Sequence, residues 1–219
     1  MANPALRRLG FAPDDRVLII HADDVGMCHA TLPAVVEGAE PAAVATEMRG
    51  QLDRALGAGI DVTHLDAHTG AALAAPFRAD YVRLGLERGI PPFLPRLDAA
   101  GQRRWGLSGA EAAAAVAFLQ EMEDRGLPLF DHFTSLPLYD PRDQIACAKA
   151  RLDALPPGLS LMIFHPARDS DELRAITPDW PSRVANYETF TSPEVRDYLT
   201  QRGIQLIGYR ALRSLLPSA

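Results

Sequence analysis

Apolar residues recur along this chain with two different spacings. Val44, Met48, Leu52 and Leu56 return at every fourth position, which keeps side chains on one face of an α-helix. Elsewhere they run together: Val17-Leu18-Ile19-Ile20 and Leu161-Met162-Ile163-Phe164 are nearly continuous apolar stretches, as expected of strands covered on both faces. Four helix-like segments end in glycine followed by Ile or Leu, at Gly59-Ile60, Gly89-Ile90, Gly126-Leu127 and Gly203-Ile204, and glycine there supplies the left-handed conformation that closes a helix. Ser108 with Glu111, and Thr191 with Glu194, have the spacing of capping boxes. The expected strands are 16–21, 62–66, 92–96, 128–133, 159–165 and 205–208.

Strand and helix therefore alternate, and alternation predicts an α/β protein with a parallel sheet. The expected architecture is a (β/α) barrel-like, TIM-barrel-related fold in a single domain over residues 1–219. An open doubly wound sheet is the alternative, but no Gly-x-Gly-x-x-Gly loop follows the first strand.

Composition narrows the class of function. Hydrophobic residues make up 47% and charged residues 23% of 219, close to the globular average. The net charge of -6 arises from scattered acids with no basic run, which argues against a nucleic-acid partner. Cys28 and Cys147 are too distant for a Cys-x-x-Cys pattern, so no disulfide framework is expected. Met1 to Arg8 is followed by glycine, proline and acids instead of an apolar signal core, and no apolar run is long enough to span a bilayer. The expectation is a cytoplasmic protein without a membrane partner.

Strand ends carry the candidate chemistry, because loops there vary while the strands hold them rigidly. The first strand runs Ile19-Ile20-His21-Ala22-Asp23-Asp24-Val25-Gly26. Adjacent carboxylates repel and call for a counter-charge: a divalent cation on one of them leaves the other to take a proton from water. Capping of the following helix by Asp23 or Asp24 is the competing reading. In Thr63-His64-Leu65-Asp66-Ala67-His68, strand alternation puts His64, Asp66 and, if extension continues, His68 on one face. Imidazole and carboxylate in that arrangement suit zinc and other transition metals. His165, directly after the apolar run of the fifth strand, suits a general acid, since an unperturbed histidine titrates near neutrality; a hydrogen-bonded rim histidine is the structural alternative. Asp131 and His132, at the expected end of the fourth strand, are weaker candidates for binding substrate, ligating or holding a loop. Gly-x-Ser-x-Gly, phosphate-loop and His-Glu-x-x-His patterns are missing from the sequence.

The motifs His21-Ala22-Asp23-Asp24-Val25-Gly26, Thr63-His64-Leu65-Asp66-Ala67-His68 and Phe164-His165-Pro166-Ala167, in this order, resemble the YdjC-like carbohydrate deacetylases, which include chitooligosaccharide and hopanoid-associated deacetylases. The resemblance implies that Asp24 and His68 bind a divalent metal, Mg2+ or Zn2+, that Asp23 is the general base and that His165 is the general acid; the two aspartates are interchangeable in these roles. It implies removal of N-acetyl groups from amino sugars or short oligosaccharides, with a small carbohydrate as partner and a homodimer compatible with it. His64, Asp66, Arg96 and His132 are the weaker candidates for substrate contact, Arg96 with a surface salt bridge as its alternative. One departure stands out. Family members carry strands and a Gly-x-His metal ligand after the first helix, whereas Val36-Glu37-Gly38 runs almost directly into Glu40-Pro41-Ala42. A crossover does not fit in so few residues, so a segment and its ligand are missing there, through a deletion or an omission. A weakened sugar-binding relative, or another metal-dependent barrel hydrolase, remains as a rival function.

Overall fold

The computed structural model describes residues 3–22 and 40–217. These fall into two compact units, one drawn from Met1–Cys28 and Phe130–Gly208, the second from His29–Leu129 and Tyr209–Ala219. The stretch after the first helix, where a segment is expected to be missing, lies outside the described residues, as do Asp23 and Asp24.

The first unit contains the parallel sheet. Strands β1 (Arg16–Ala22), β2 (His132–Ser135), β3 (Gly158–Phe164) and β4 (Ile204–Leu206) lie in the order β2-β3-β1-β4, all parallel. Among the described residues this sheet is open and does not close into a barrel. Its centre is the pair of apolar runs in the sequence: Val17 faces Leu159 and Ile19 faces Leu161 in register, and all four are buried. Leu18 and Met162 project to the other face, where they pack with Leu152, Leu155, Val195, Leu199 and Ile204. Continuous hydrophobicity thus has its expected cause, burial on both faces. Around the sheet run α1 (Pro4–Arg8), α6 (Gln144–Asp153), α7 (Asp171–Ile176), α8 (Trp180–Thr191) and α9 (Pro193–Gln201).

Two local expectations for this unit are corrected. The fourth strand begins at His132 instead of ending just past it, because Pro128 has no N–H to give a ladder and the Asp131 carboxylate takes the Leu159 N–H at 2.9 Å. Helix α9 is capped by Ser192, whose Oγ accepts from Glu194 N–H at 3.1 Å. Thr191 instead ends α8, its hydroxyl donating to the Tyr187 carbonyl at 2.8 Å; Pro193 at the first helical position, pre-set in φ, moves the start one residue on.

The second unit holds α2 (Pro41–Gly57), α3 (Arg78–Arg88), α4 (Ala99–Arg104), α5 (Gly109–Asp124) and α10 (Arg210–Arg213). Ser108 and Glu111 make the reciprocal capping box expected of them. The expected strands 62–66 and 92–96 are reduced to one parallel bridge, Leu65 to Pro92. Pro91, Pro92 and Pro95 cannot donate to a ladder; Leu65 N–H to Pro91 O (3.0 Å) and Phe93 N–H to Leu65 O (2.8 Å) join the segments. Buried Tyr81 reinforces that bridge, its hydroxyl donating to Leu65 O at 2.7 Å and accepting from Phe93 N–H at 3.0 Å. Burial pushes the Tyr81 phenol well above its ordinary pKa, helped by the negative charge of Asp66.

The turn that leads into this bridge depends on two glycines. Gly89 closes α3 with φ 63° and ψ 33°. Gly85, inside the helix, lets the chain fold back closely: a Cβ there would stand 2.7 Å from the Ile90 carbonyl oxygen and 3.1 Å from Pro92 Cδ. Gly85→Ala, which favours helices elsewhere, is expected to destabilise this unit by about 1–3 kcal/mol through overpacking against backbone; a urea titration that finds the variant as stable as the parent would refute this. Among the described residues no helix is long and apolar enough to cross a membrane, and the Cys147 thiol is free.

Candidate active site

His165 follows the last residue of β3 and therefore stands at the carboxyl end of the parallel sheet, where such sheets collect reactive groups. Its backbone is held by buried amides. The His165 N–H donates to Asn186 Oδ1 at 3.0 Å, and Asn186 Nδ2 donates to Gln144 Oε1 at 3.2 Å. Gln144 Nε2 in turn donates to the carbonyls of Pro137, at 3.2 Å, and Asp140. Two residues on, Ala167 N–H donates to the Arg183 carbonyl at 3.2 Å, and the Arg183 guanidinium is paired with Asp179 at 2.8 Å. Helix α8 thus supplies both anchors of the His165-Pro166-Ala167 turn.

Asn186 and Gln144 were not legible as site residues. Asn186 is fully buried and Gln144 nearly so, and a buried amide keeps its place only when satisfied. Asn186→Ala strands the His165 N–H and the Gln144 carbonyl, so a loss of about 1–3 kcal/mol is expected, together with displacement of the His165 turn; an unchanged melting temperature and unchanged His165 NMR shifts would contradict it. At the far end of the network, hydrogen bonds from Arg142 hold the Asp140 carboxyl at about 2, below its ordinary 3.8. A depressed carboxyl contributes stability that is fully present above its unfolded value and is lost as pH falls through about 2. In Arg142→Ala the Asp140 titration, followed by carboxyl NMR, should move back up towards 3.8.

The Asp131-His132 pair stands at the opposite end of the same strands. His132 is paired with Ser160, early in β3, and its Nε2 lies 3.4 Å from the Pro157 carbonyl oxygen before that strand. The placement of His132 at a strand's end is therefore corrected: it opens β2, away from His165. Asp131 ties elements together, with Oδ2 accepting from Asn3 Nδ2 at 2.7 Å as well as from Leu159 N–H. Gly158 makes room for it, since a Cβ there would lie 2.7 Å from that oxygen.

In the second unit, extension does not continue to His68. Ala67 has φ -110° and ψ 78°, and His68 opens a 3₁₀ turn, His68–Leu73, so the strand alternation that would align it with His64 and Asp66 stops one residue short. His64 lies flat on Tyr209, centroids 3.8 Å apart and planes 6° from parallel, with Nδ1 2.9 Å from Thr63 Oγ1. Asp66 is exposed, yet its charge, behind the larger effect of burial, helps raise the Tyr209 phenol well above its usual pKa. Arg96 is engaged by the Glu123 carboxylate through both terminal nitrogens, Nη1 at 2.6 Å, which matches the salt-bridge alternative for this residue. Among the described residues no three His, Cys, Asp or Glu side chains gather to hold a metal.

Comparison with known proteins adds to this geometry. Residues 37–201 match the family of YdjC-like proteins, well over half of the chain. The chain belongs to the YdjC-like family. A carbohydrate deacetylase of Thermus thermophilus is 30% identical to this YdjC-like chain over 198 residues, 89% of the chain and 69% of the relative. A crystal structure of a proposed cellobiose-phosphate cleavage protein from Enterococcus faecalis V583 superposes with a TM-score of 0.62 at 18% identity, over 82% of this chain; the match spans only 64% of that structure's length. That likeness supports an α/β fold with a parallel sheet. The family match takes in His64, Asp66, His68, Arg96, His132 and His165 of this YdjC-like chain and begins after Asp23 and Asp24.

Proposed function

We propose that this YdjC-like chain is a carbohydrate deacetylase, an enzyme that hydrolyses the N-acetyl group of an amino sugar or short oligosaccharide to acetate and a free amine. The observation that carries the reading is the 30% identity to a carbohydrate deacetylase across 89% of the chain, joined to a histidine held by buried amides at the carboxyl end of a parallel sheet. The open four-stranded sheet is read as part of a barrel-related architecture.

In this reading His68 and Asp24 hold a divalent cation, Mg2+ or Zn2+, for which imidazole and carboxylate are suitable donors. When bound, such an ion polarises a carbonyl and acidifies water. Catalytic zinc sites take about three protein ligands, so with no group of three among the described residues a further ligand must come from outside them or be water. Asp23 takes the proton of the attacking water; the tetrahedral centre collapses as the C–N bond breaks and the amine nitrogen receives the proton held by His165. The polar strand-end groups and the absence of other catalytic motifs support these roles. His64, Asp66 and Arg96 are read as shaping the substrate side; a homodimer and a cytoplasmic setting complete the proposal.

The test is acetate release from N-acetylglucosamine and its short oligomers, with metal content measured on the same preparation. Acetate release that disappears on chelation and returns with Zn2+ or Mg2+ is the expected result. Stoichiometric absence of metal together with sugar binding but no acetate would favour the weakened sugar-binding relative, and turnover of a phosphate-ester panel alone would favour a different hydrolase.

A further inference from the structure

Strand β2 delivers the chain to the carboxyl end of β3: Leu136 N–H donates to the Ile163 carbonyl at 3.1 Å. The loop that follows, 136–143, therefore opens at the same end of the sheet as the His165 turn. Both are tied to one pair of buried amides. Asn186 holds the His165 N–H and donates to Gln144, and Gln144 Nε2 reaches the carbonyls of Pro137, at 3.2 Å, and Asp140. Those two carbonyls bracket Leu138 and Tyr139.

The loop is stiff. Pro137 and Pro141 have φ fixed by their rings, and the Asp140 carboxylate accepts from the Arg142 backbone N–H at 3.0 Å and from its guanidinium at 2.9 Å. Asp143 closes the loop at φ 51° and ψ 33°, the one non-glycine residue at positive φ among the described residues. This frame carries Tyr139, which at 89% is the most exposed large apolar side chain described. A side chain standing in water adds next to nothing to stability, so stability gives no reason to anchor the backbone on both sides of it. A ligand surface does: tyrosine offers a broad flat face with only two torsions to order.

A pyranose ring has a face of C–H groups and a rim of hydroxyls. Laid on an aromatic ring, its slightly positive hydrogens meet the negative face and apolar area leaves water on both sides, while the hydroxyls stay hydrated and incur no burial cost. An anionic group would meet that negative face and the carboxylates of Asp140 and Asp143 beside it. We propose that Tyr139 is a substrate-binding residue, on whose ring an uncharged sugar ring lies at the part of the substrate remote from the acetamide. This rests on the deacetylase reading, but sugar binding at Tyr139 is measurable without it. A contact remote from the reacting amide is the same before and during reaction, so it acts on KM and leaves kcat alone.

The experiment measures acetate release from the dimer of N-acetylglucosamine, and titrates cellobiose, which has no acetamide, as a pure binding probe. Tyr139→Ala should raise KM by about tenfold, the worth of one covered aromatic face, and weaken cellobiose by the same factor, with kcat within about twofold. Tyr139→Phe and Tyr139→Trp, which keep a ring, should keep both affinities. Unchanged KM and cellobiose affinity in Tyr139→Ala overturns the proposal. So does a lowered urea midpoint, which would assign the ring to the fold, or a loss of self-association in sedimentation with KM unaltered, which would assign it to a second copy of the chain. Should Tyr139→Ala weaken cellobiose while no N-acetylated sugar releases acetate from the parent, the assignment of Tyr139 stands and the deacetylase reading falls.

Discussion

His165→Ala is expected to lower acetate release by about two to four orders of magnitude, the usual contribution of a positioned general acid or base. The loss should fall on kcat more than on KM, because the amine nitrogen acquires its proton only as the C–N bond breaks, and an interaction made only in the transition state does not hold the substrate. Stability should hardly change. The bond that fixes this turn runs from the backbone N–H of residue 165 to Asn186, and alanine retains it. That separates His165→Ala from Asn186→Ala, in which folding and activity fall together. An alanine variant that releases acetate at the parent's rate would remove His165 from the mechanism. A variant equally slow but with a much lower urea midpoint would mean that the imidazole serves the fold.

The largest effect on stability is expected from Leu18→Ala. Leu18 is fully buried at the centre of β1, packed with Met162, Leu152 and Leu199, on a sheet that helices cover. Removing its side chain forfeits the burial and leaves a cavity that strands pinned on both sides cannot close, at a cost of about 2–5 kcal/mol. Leu206, on the edge strand β4, is 56% exposed, so Leu206→Ala should cost under about 0.5 kcal/mol. Chemical denaturation of the two variants side by side decides it: similar midpoints would show that β1 is not the packed centre of this unit.

Much of the local structure was written in side-chain chemistry. Gly59, Gly89, Gly126 and Gly203 all take the positive φ expected of helix ends, since only glycine enters that region without a Cβ penalty. The stripe on α2 was read correctly, with Leu52 buried and Met48 packed beside it, although Leu56 at its end is 37% exposed. The expected strands 62–66 and 92–96 failed for a reason also present in the sequence: the apolar signal of Phe93-Leu94 outweighed three prolines that cannot donate hydrogen bonds. At Thr191 and Ser192, two adjacent hydroxyls competed as caps and Pro193 decided between them.

The candidate site divides along the same line. By itself, the sequence determined the parallel α/β alternation, the apolar strands β1 and β3, and the arrival of His165 directly after β3, because these depend on periodicity and on residues adjacent in the chain. Only the tertiary structure decided that His132 opens its strand, that Arg96 is taken by Glu123, that His68 begins a turn, and that Asn186 and Gln144 anchor His165. Each of those depends on which distant residue supplies a hydrogen-bond partner, and a partner 21 or 42 positions away, as for His165 with Asn186 and Asn186 with Gln144, leaves no periodic trace.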